Sequence, residues 1–211
     1  MNYLEFKKRV DGFPLFSSSL LAHLGENLQN LRNQLSRWKK QGLILKLRKG
    51  MYMLNEDNRK IIPSRSFIAN QLYSPSYVST EYALGFYELI PERVVDITSV
   101  TPRKTYRVGN TFGTFIYQHI NREVFSGFTI MQSKGSLPFL IALPEKAVLD
   151  FMYLNLSNFQ EDDTDIFEKS FRFQNVGKLN REKILKYAHL FNNKKLIAVA
   201  NDFLKFVESG Q

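Results

Sequence analysis

Apolar positions in the first 60 residues follow helical spacing three times and then change to the short runs of a hairpin. The pattern predicts helices over residues 2–10, Ser18–Leu24 and Leu28–Gln41, the second opened by the serines of "SSS" and stopped by Gly25, the third stopped by Gly42. "LILKLRKGMYML" then reads as two strands joined at Lys49-Gly50, where glycine supplies the positive φ of a tight turn. Helix, helix, helix, hairpin is the order of a winged helix-turn-helix. A polar connection, "NEDNRKIIPSRS", follows, with Pro63 suited to the first turn of a helix running to about Leu72. These changes divide the chain into residues 1–60 and 61–211. The second part mixes both periods, with a helix over 80–89, β-rich stretches over 93–100, 113–119, 127–132 and 137–142, and helices over 145–156, 161–172, 181–192 and 194–208. That is an α+β class rather than a regular βαβ alternation.

On a helical wheel Leu28, Leu31, Leu35 and Trp38 fall within an arc of about 80°, a stripe that faces a core. The opposite face is centred on Asn33, Arg37 and Lys40 and flanked by Gln29, Asn30 and Ser36, with Arg32 and Lys39 nearer the stripe. Asn and Gln pair with adenine and Arg with guanine in a major groove wide enough for a helix, while lysines such as Lys39 and Lys40 suit phosphate. Strand alternation puts Lys46 and Arg48 on one hairpin face and Leu43, Leu45 and Leu47 on the other, with Lys49 at the tip. A wing tipped by Arg48 and Lys49 suits backbone phosphates or the minor groove, and the Ser17, Ser18 and Ser19 hydroxyls with nearby amides suit another phosphate.

Charge sharpens this picture. The net charge of +9 is concentrated in residues 1–60, which hold 12 Lys plus Arg against 5 Asp plus Glu, whereas residues 61–211 hold 17 against 15. An anionic partner is favoured, and the lack of an RNA-module motif or exposed aromatic ladder points to duplex DNA. Charge runs often do no more than solvate a surface. Here the amides that share the basic face and the hairpin that follows it weigh against that alternative. The absence of cysteine excludes disulfides and thiolate chemistry and fits a reducing cytosol. No apolar run approaches the roughly 18 residues that span a bilayer, so the chain reads as cytoplasmic, with no membrane partner.

Motifs for catalysis are lacking: no G-x-S-x-G, P-loop or G-x-G-x-x-G occurs. His23, His119 and His189 are widely separated, so no catalytic residue, metal or cofactor is expected. Two carboxylate groupings raise a metal-dependent nuclease as an alternative: Glu145, Lys146 and Asp150 in "PEKAVLD", and Glu161, Asp162, Asp163, Asp165 and Glu168 in "EDDTDIFE". The first reads better as a helix start and the second as acids gathered at a helix N-terminus. The aromatics of "YVSTEYALGFYELIPE" and "FGTFIYQHI" read as core, the alternative being a pocket through which a regulator senses a small ligand.

Taken together, "LSRWKKQGLILKLRKGMYML", "YVSTEYALGFYELIPERVVDITSVTPRKT", "FGTFIYQHI" and "IALPEKAVLDFMYL" resemble the AbiEi-type antitoxins of type IV toxin-antitoxin, abortive-infection systems, over most of residues 1–156. The resemblance implies a winged helix that represses transcription of its own operon at inverted repeats as more than one copy. It also implies a C-terminal domain that counters a nucleotidyltransferase-like toxin without a stable complex. Gln29, Asn33, Ser36, Arg37, Arg48 and Lys49 are the DNA-contacting positions it carries over. One departure is "FYELIPE", where Tyr87 and Glu88 occupy the places of a His-Gly pair.

Overall fold

A computed structural model of the chain describes residues 2–22, 28–132, 136–160 and 162–209. The first module runs α1 (Tyr3–Val10), β1 (Phe16–Ser17), α2 (Ser18–Ala22), α3 (Leu28–Lys40), β2 (Ile44–Arg48) and β3 (Met51–Leu54). Its strands form an antiparallel sheet in the order β1-β3-β2. Residues 23–27, which include the expected end of the second helix at Leu24 and Gly25, lie outside the described residues.

Local chemistry accounts for the ends of these elements. Asn2 and Glu5 close a reciprocal capping box on α1. Gly42, at φ +72°, ends α3 with bonds from its own N–H to Lys39 O and from Leu43 N–H to Trp38 O, the paired closure that needs a left-handed residue. Gly50, at φ +78°, turns the hairpin. Trp38 anchors the module's core, stacked on Phe6 at 4.5 Å between ring centroids and meeting Tyr3 edge-on at 5.6 Å, while Leu31 and Leu35 are buried beside it.

The second module runs α4 (Arg65–Leu72), β4 (Tyr77–Val78), α5 (Thr80–Phe86), β5 (Ile97–Thr101), β6 (Tyr106–Asn110), β7 (Gly113–His119), β8 (Phe128–Met131), β9 (Phe139–Ala142), α6 (Pro144–Leu154), α7 (Arg181–Leu190) and α8 (Lys194–Ser209). Ser64 caps α4 by accepting from Phe67 N–H, so Pro63 lies one residue ahead of the cap rather than in the first turn. The sheet order is β6-β7-β5-β4-β9-β8, with β4/β9 and β5/β7 parallel and the other pairs antiparallel. Tyr117 donates from one sheet face to Ala69 O of α4. By strand alternation Tyr77 projects from the opposite face, where its hydroxyl meets Asp150 of α6. Helices thus cover both faces, and the class is α+β. The expected helix over 161–172 is replaced, among its described residues, by a π-helical turn, Ile166–Ser170, which Asp163 starts by accepting from Ile166 N–H.

The division at residue 60 is bridged by packing. A bulge between Lys46 and Arg48 interrupts the strand alternation of β2. Ile44 enters the first core and Leu47, on the opposite strand face with Met53 of β3, is fully buried in the second, while the bulge carries Arg48 across to the side of Met51. Asn110 Nδ2 donates to Leu47 O at 3.2 Å and Arg59 lies over the Phe112 ring, while Lys60 pairs back to Asp11 within the first module at 2.5 Å. Residues 1–60 alone would expose Leu47 and Met53, each contributing about 1.5–3 kcal/mol of burial in a module whose whole stability is of the order of several kcal/mol. That fragment is expected to melt without a cooperative transition by circular dichroism while the full chain melts sharply; a sharp transition in the fragment would show the hairpin to be self-sufficient.

Candidate nucleic-acid interface

The buried stripe of α3 leaves Gln29, Asn30, Arg32, Asn33, Ser36, Arg37, Lys39 and Lys40 exposed. Asn30, Asn33, Gln34 and Arg37 line a shallow groove along the helix, and Gln29 Nε2 donates to Asn33 Oδ1 at 3.4 Å. Among the described residues no carboxylate comes within salt-bridge range of Arg32, Arg37, Lys39, Lys40, Lys46 or Lys49. Their field therefore reaches solvent uncancelled.

The wing differs from its expected form. Lys46 and Lys49 are exposed, but the bulge turns Arg48 inward. Arg48 is half-buried, gives one N–H to Lys49 O at 3.1 Å, and lies close enough to Tyr117 to oppose the upward pKa shift that burial imposes on that phenol. It is a contact between the modules rather than a wing-tip cation. Leu45 likewise packs on the second core, so Leu43, Leu45 and Leu47 do not share one face. The Ser17–Ser19 corner is also committed internally: Ser17 Oγ caps α2 by accepting from Leu20 N–H at 3.0 Å, and Ser18 N–H donates to Gly50 O at 2.9 Å. Two of the amides proposed for a phosphate are therefore occupied.

The nuclease candidates separate. Lys146 and Asp150 form an ion pair one helical turn apart that is sealed from solvent, and Asp150 also accepts from Ser79 Oγ at 2.7 Å and Tyr77 OH at 3.0 Å. Burial pushes the Asp150 carboxyl up, and the Lys146 ammonium and the three hydrogen bonds pull it back. Glu145 accepts from Asn180 N–H at 3.0 Å. Asp163 caps the π-helical turn, Asp165 pairs with Lys169 and Asp162 with Lys205, while Glu161 lies outside the described residues. No group of three metal-ligating side chains occurs among the described residues. His119 Nδ1 meets Arg103 O at 2.9 Å, and His189 is exposed on α7. No helix among the described residues is long and apolar enough to cross a membrane.

"PEKAVLD" is the helix start expected of it, and the four-residue spacing of Lys146 and Asp150 is the sign in the sequence of their ion pair. Glu88 stands where the resembled pattern has glycine. Glu88 adopts φ +59°, the left-handed region that glycine favours, and its carbonyl accepts from Asn175 Nδ2 at 2.9 Å. No family model matches the chain, and no curated protein matches it.

Two expectations follow from these positions. Replacing Glu88 with glycine removes about 1 kcal/mol of backbone strain, so Glu88→Gly should raise the thermal midpoint; a lower midpoint would place the value of Glu88 in its side chain. Lys146→Met, which leaves Asp150 buried without a counter-charge, should cost about 3–5 kcal/mol in denaturant unfolding, much of it recovered in Lys146→Met/Asp150→Leu. A carboxyl with its folded pKa above the unfolded value of about 4 adds stability that is complete below that value and lost as pH rises through the folded pKa. The single variant should therefore weaken from acid toward neutral pH, and a pH-independent loss would remove Asp150 as its cause.

Proposed function

We propose that this chain is a DNA-binding autorepressor and the antitoxin of a type IV toxin-antitoxin pair, acting in the cytosol with no catalysis of its own. One observation carries the DNA-binding half: α3 presents Asn33 and Arg37 one turn apart beside Lys40, exposed and unmatched by carboxylates, on a helix held by Leu31, Leu35 and Trp38. Laid in a major groove, Asn33 and Arg37 reach base edges, Lys39 and Lys40 reach phosphates, and Lys46 and Lys49 of the wing meet the flanking backbone. The element order of the first module supports this reading. The antitoxin half is supported by the resemblance to the AbiEi type, including the left-handed turn at Glu88 where that pattern has glycine.

Titrating the full chain against its own promoter tests the DNA-binding half, and rescue from the toxin tests the other. Arg37→Ala and Asn33→Ala are each expected to cost about 1–3 kcal/mol of discrimination against a scrambled site. With about six phosphates neutralised per protomer, log affinity should fall against log salt with a slope near −5. Unchanged promoter affinity in both variants would remove α3 from the interface. The same Arg37→Ala chain should still rescue growth of cells making the nucleotidyltransferase-like toxin, because the neutralising function is assigned to the second module.

A further inference from the structure

The two edges of the six-stranded sheet differ. β6 lies beside the wing, tied to it by the bond from Asn110 to Leu47. β8 pairs with β9, and no described strand covers its outer side. Leu143 N–H donates to Gly127 O at 2.9 Å, which makes those two residues a hydrogen-bonded pair in the antiparallel ladder. Alternation along the register Phe128↔Ala142 to Met131↔Phe139 then turns the backbone groups of Thr129 and Met131 toward β9 and those of Phe128 and Ile130 outward. Asn70 agrees with this assignment: its amide bonds both Leu140 N–H and Leu140 O, so the Leu140 backbone faces away from β8.

That outer edge has few of the usual protections. Edges that stay solitary carry lysine, proline, a bulge or a cover. "FTIM" holds no charge and no proline, its register on β9 is unbroken, and Ile130 is 68% exposed. Only its shortness restrains it, and shortness favours a brief reciprocal pairing over open-ended stacking.

We propose that β8 pairs antiparallel with β8 of a second copy of this chain, with Thr129 on the twofold axis. In this register Phe128 of each copy faces Ile130 of the other, and both outward N–H and both outward C=O groups of each strand are satisfied reciprocally. Phe128 and Ile130 share a sheet face, where with Phe125 and Leu140 they help to line a pocket of about 330 Å³. Ile130 of one copy lies across from Phe128 at the mouth of the other copy's pocket, and its exposed surface is covered. No charged residue lines the pocket or lies in the strand, so the pairing sets no like charges opposite each other. This pairing does not depend on DNA binding.

The absence of cysteine makes a direct test available, because Thr129→Cys is a single-thiol chain. Facing residues at a non-hydrogen-bonded antiparallel position have Cα atoms about 4.5 Å apart, within disulfide reach. Full-length Thr129→Cys is expected to oxidise to a covalent dimer, whereas Lys186→Cys, exposed on α7, stays largely monomeric. A four-residue contact is small, so the light-scattering mass of the wild type should climb toward twice the monomer between about 10 μM and 1 mM. Ile130→Pro, which removes an outward donor and leaves the ladder to β9 intact, should hold the monomer mass, as should Ile130→Lys with its backbone unchanged. A wild-type mass that stays monomeric throughout, or one that doubles without a cross-link at position 129, would overturn the pairing.

Discussion

The packing of β2 into two cores at once is the constraint on which the arrangement of the two modules depends. An unbroken β2 would hold Ile44, Lys46 and Arg48 on one face and Leu45 and Leu47 on the other. Ile44 and Leu47 keep those two faces, so one short strand serves two cores, Ile44 closing the first and Leu47 buried in the second, while the bulge moves Arg48 to the Leu47 side and Lys46 remains in solvent. Because α3 is packed on β2 through the first core, this sharing of β2 also sets the direction in which the basic helix faces relative to the second module. With Asn110 holding Leu47 O, and Arg59 and Lys60 engaged on either side, the connection is a joint of several contacts rather than a polar tether.

Two treatments of charge follow from that arrangement. On α3 the cations stand in water, where their hydration is retained and their attraction for a polyanion is not spent internally. Between α6 and β4 the opposite holds: Lys146 and Asp150 have lost their water, the ammonium donates to Asp150 and Tyr77, and the carboxylate also accepts from Tyr77 and Ser79. A buried pair of this kind stabilises little in net terms, but it is costly to break, so it fixes α6 against the sheet in one register. Among the described residues no carboxylate pairs with the first set. The second is held inside the fold by its own hydrogen bonds.

Much of the first module was legible in the sequence, because its signals are local. Gly42 and Gly50 occupy backbone positions that need φ above zero, and Leu31, Leu35 and Trp38 keep the period that buries one side of α3. The strand at 113–119 was read with its ends intact. What escaped was set by partners distant in the chain. β4 is two residues long and exists through β5 and β9, and β6 alternates weakly but pairs along its length with β7. Arg48 read as a free cation because alternation is all that a strand sequence offers, and a bulge leaves no clear mark in "KLRKG". The acids of 162–168 suggested a regular helix start, yet the residues there form a π-helical turn held by capping and by bonds to α8.

The two ends of the larger sheet carry the same reasoning to the surface. A sheet edge presents unmet donors and acceptors, and these must be answered by water, by another element or by another chain. At β6 the β2–β3 hairpin lies alongside, the Asn110 side chain donates to Leu47 O, and the Leu47 side chain is buried in the second core. At β8 the outward groups belong to Phe128 and Ile130, whose side chains are apolar and whose strand bears no charge to hold water there. One edge therefore binds the chain to itself. The other offers the same backbone chemistry to a strand that the described residues do not supply, and an uncharged, apolar strand such as β8 is its closest complement.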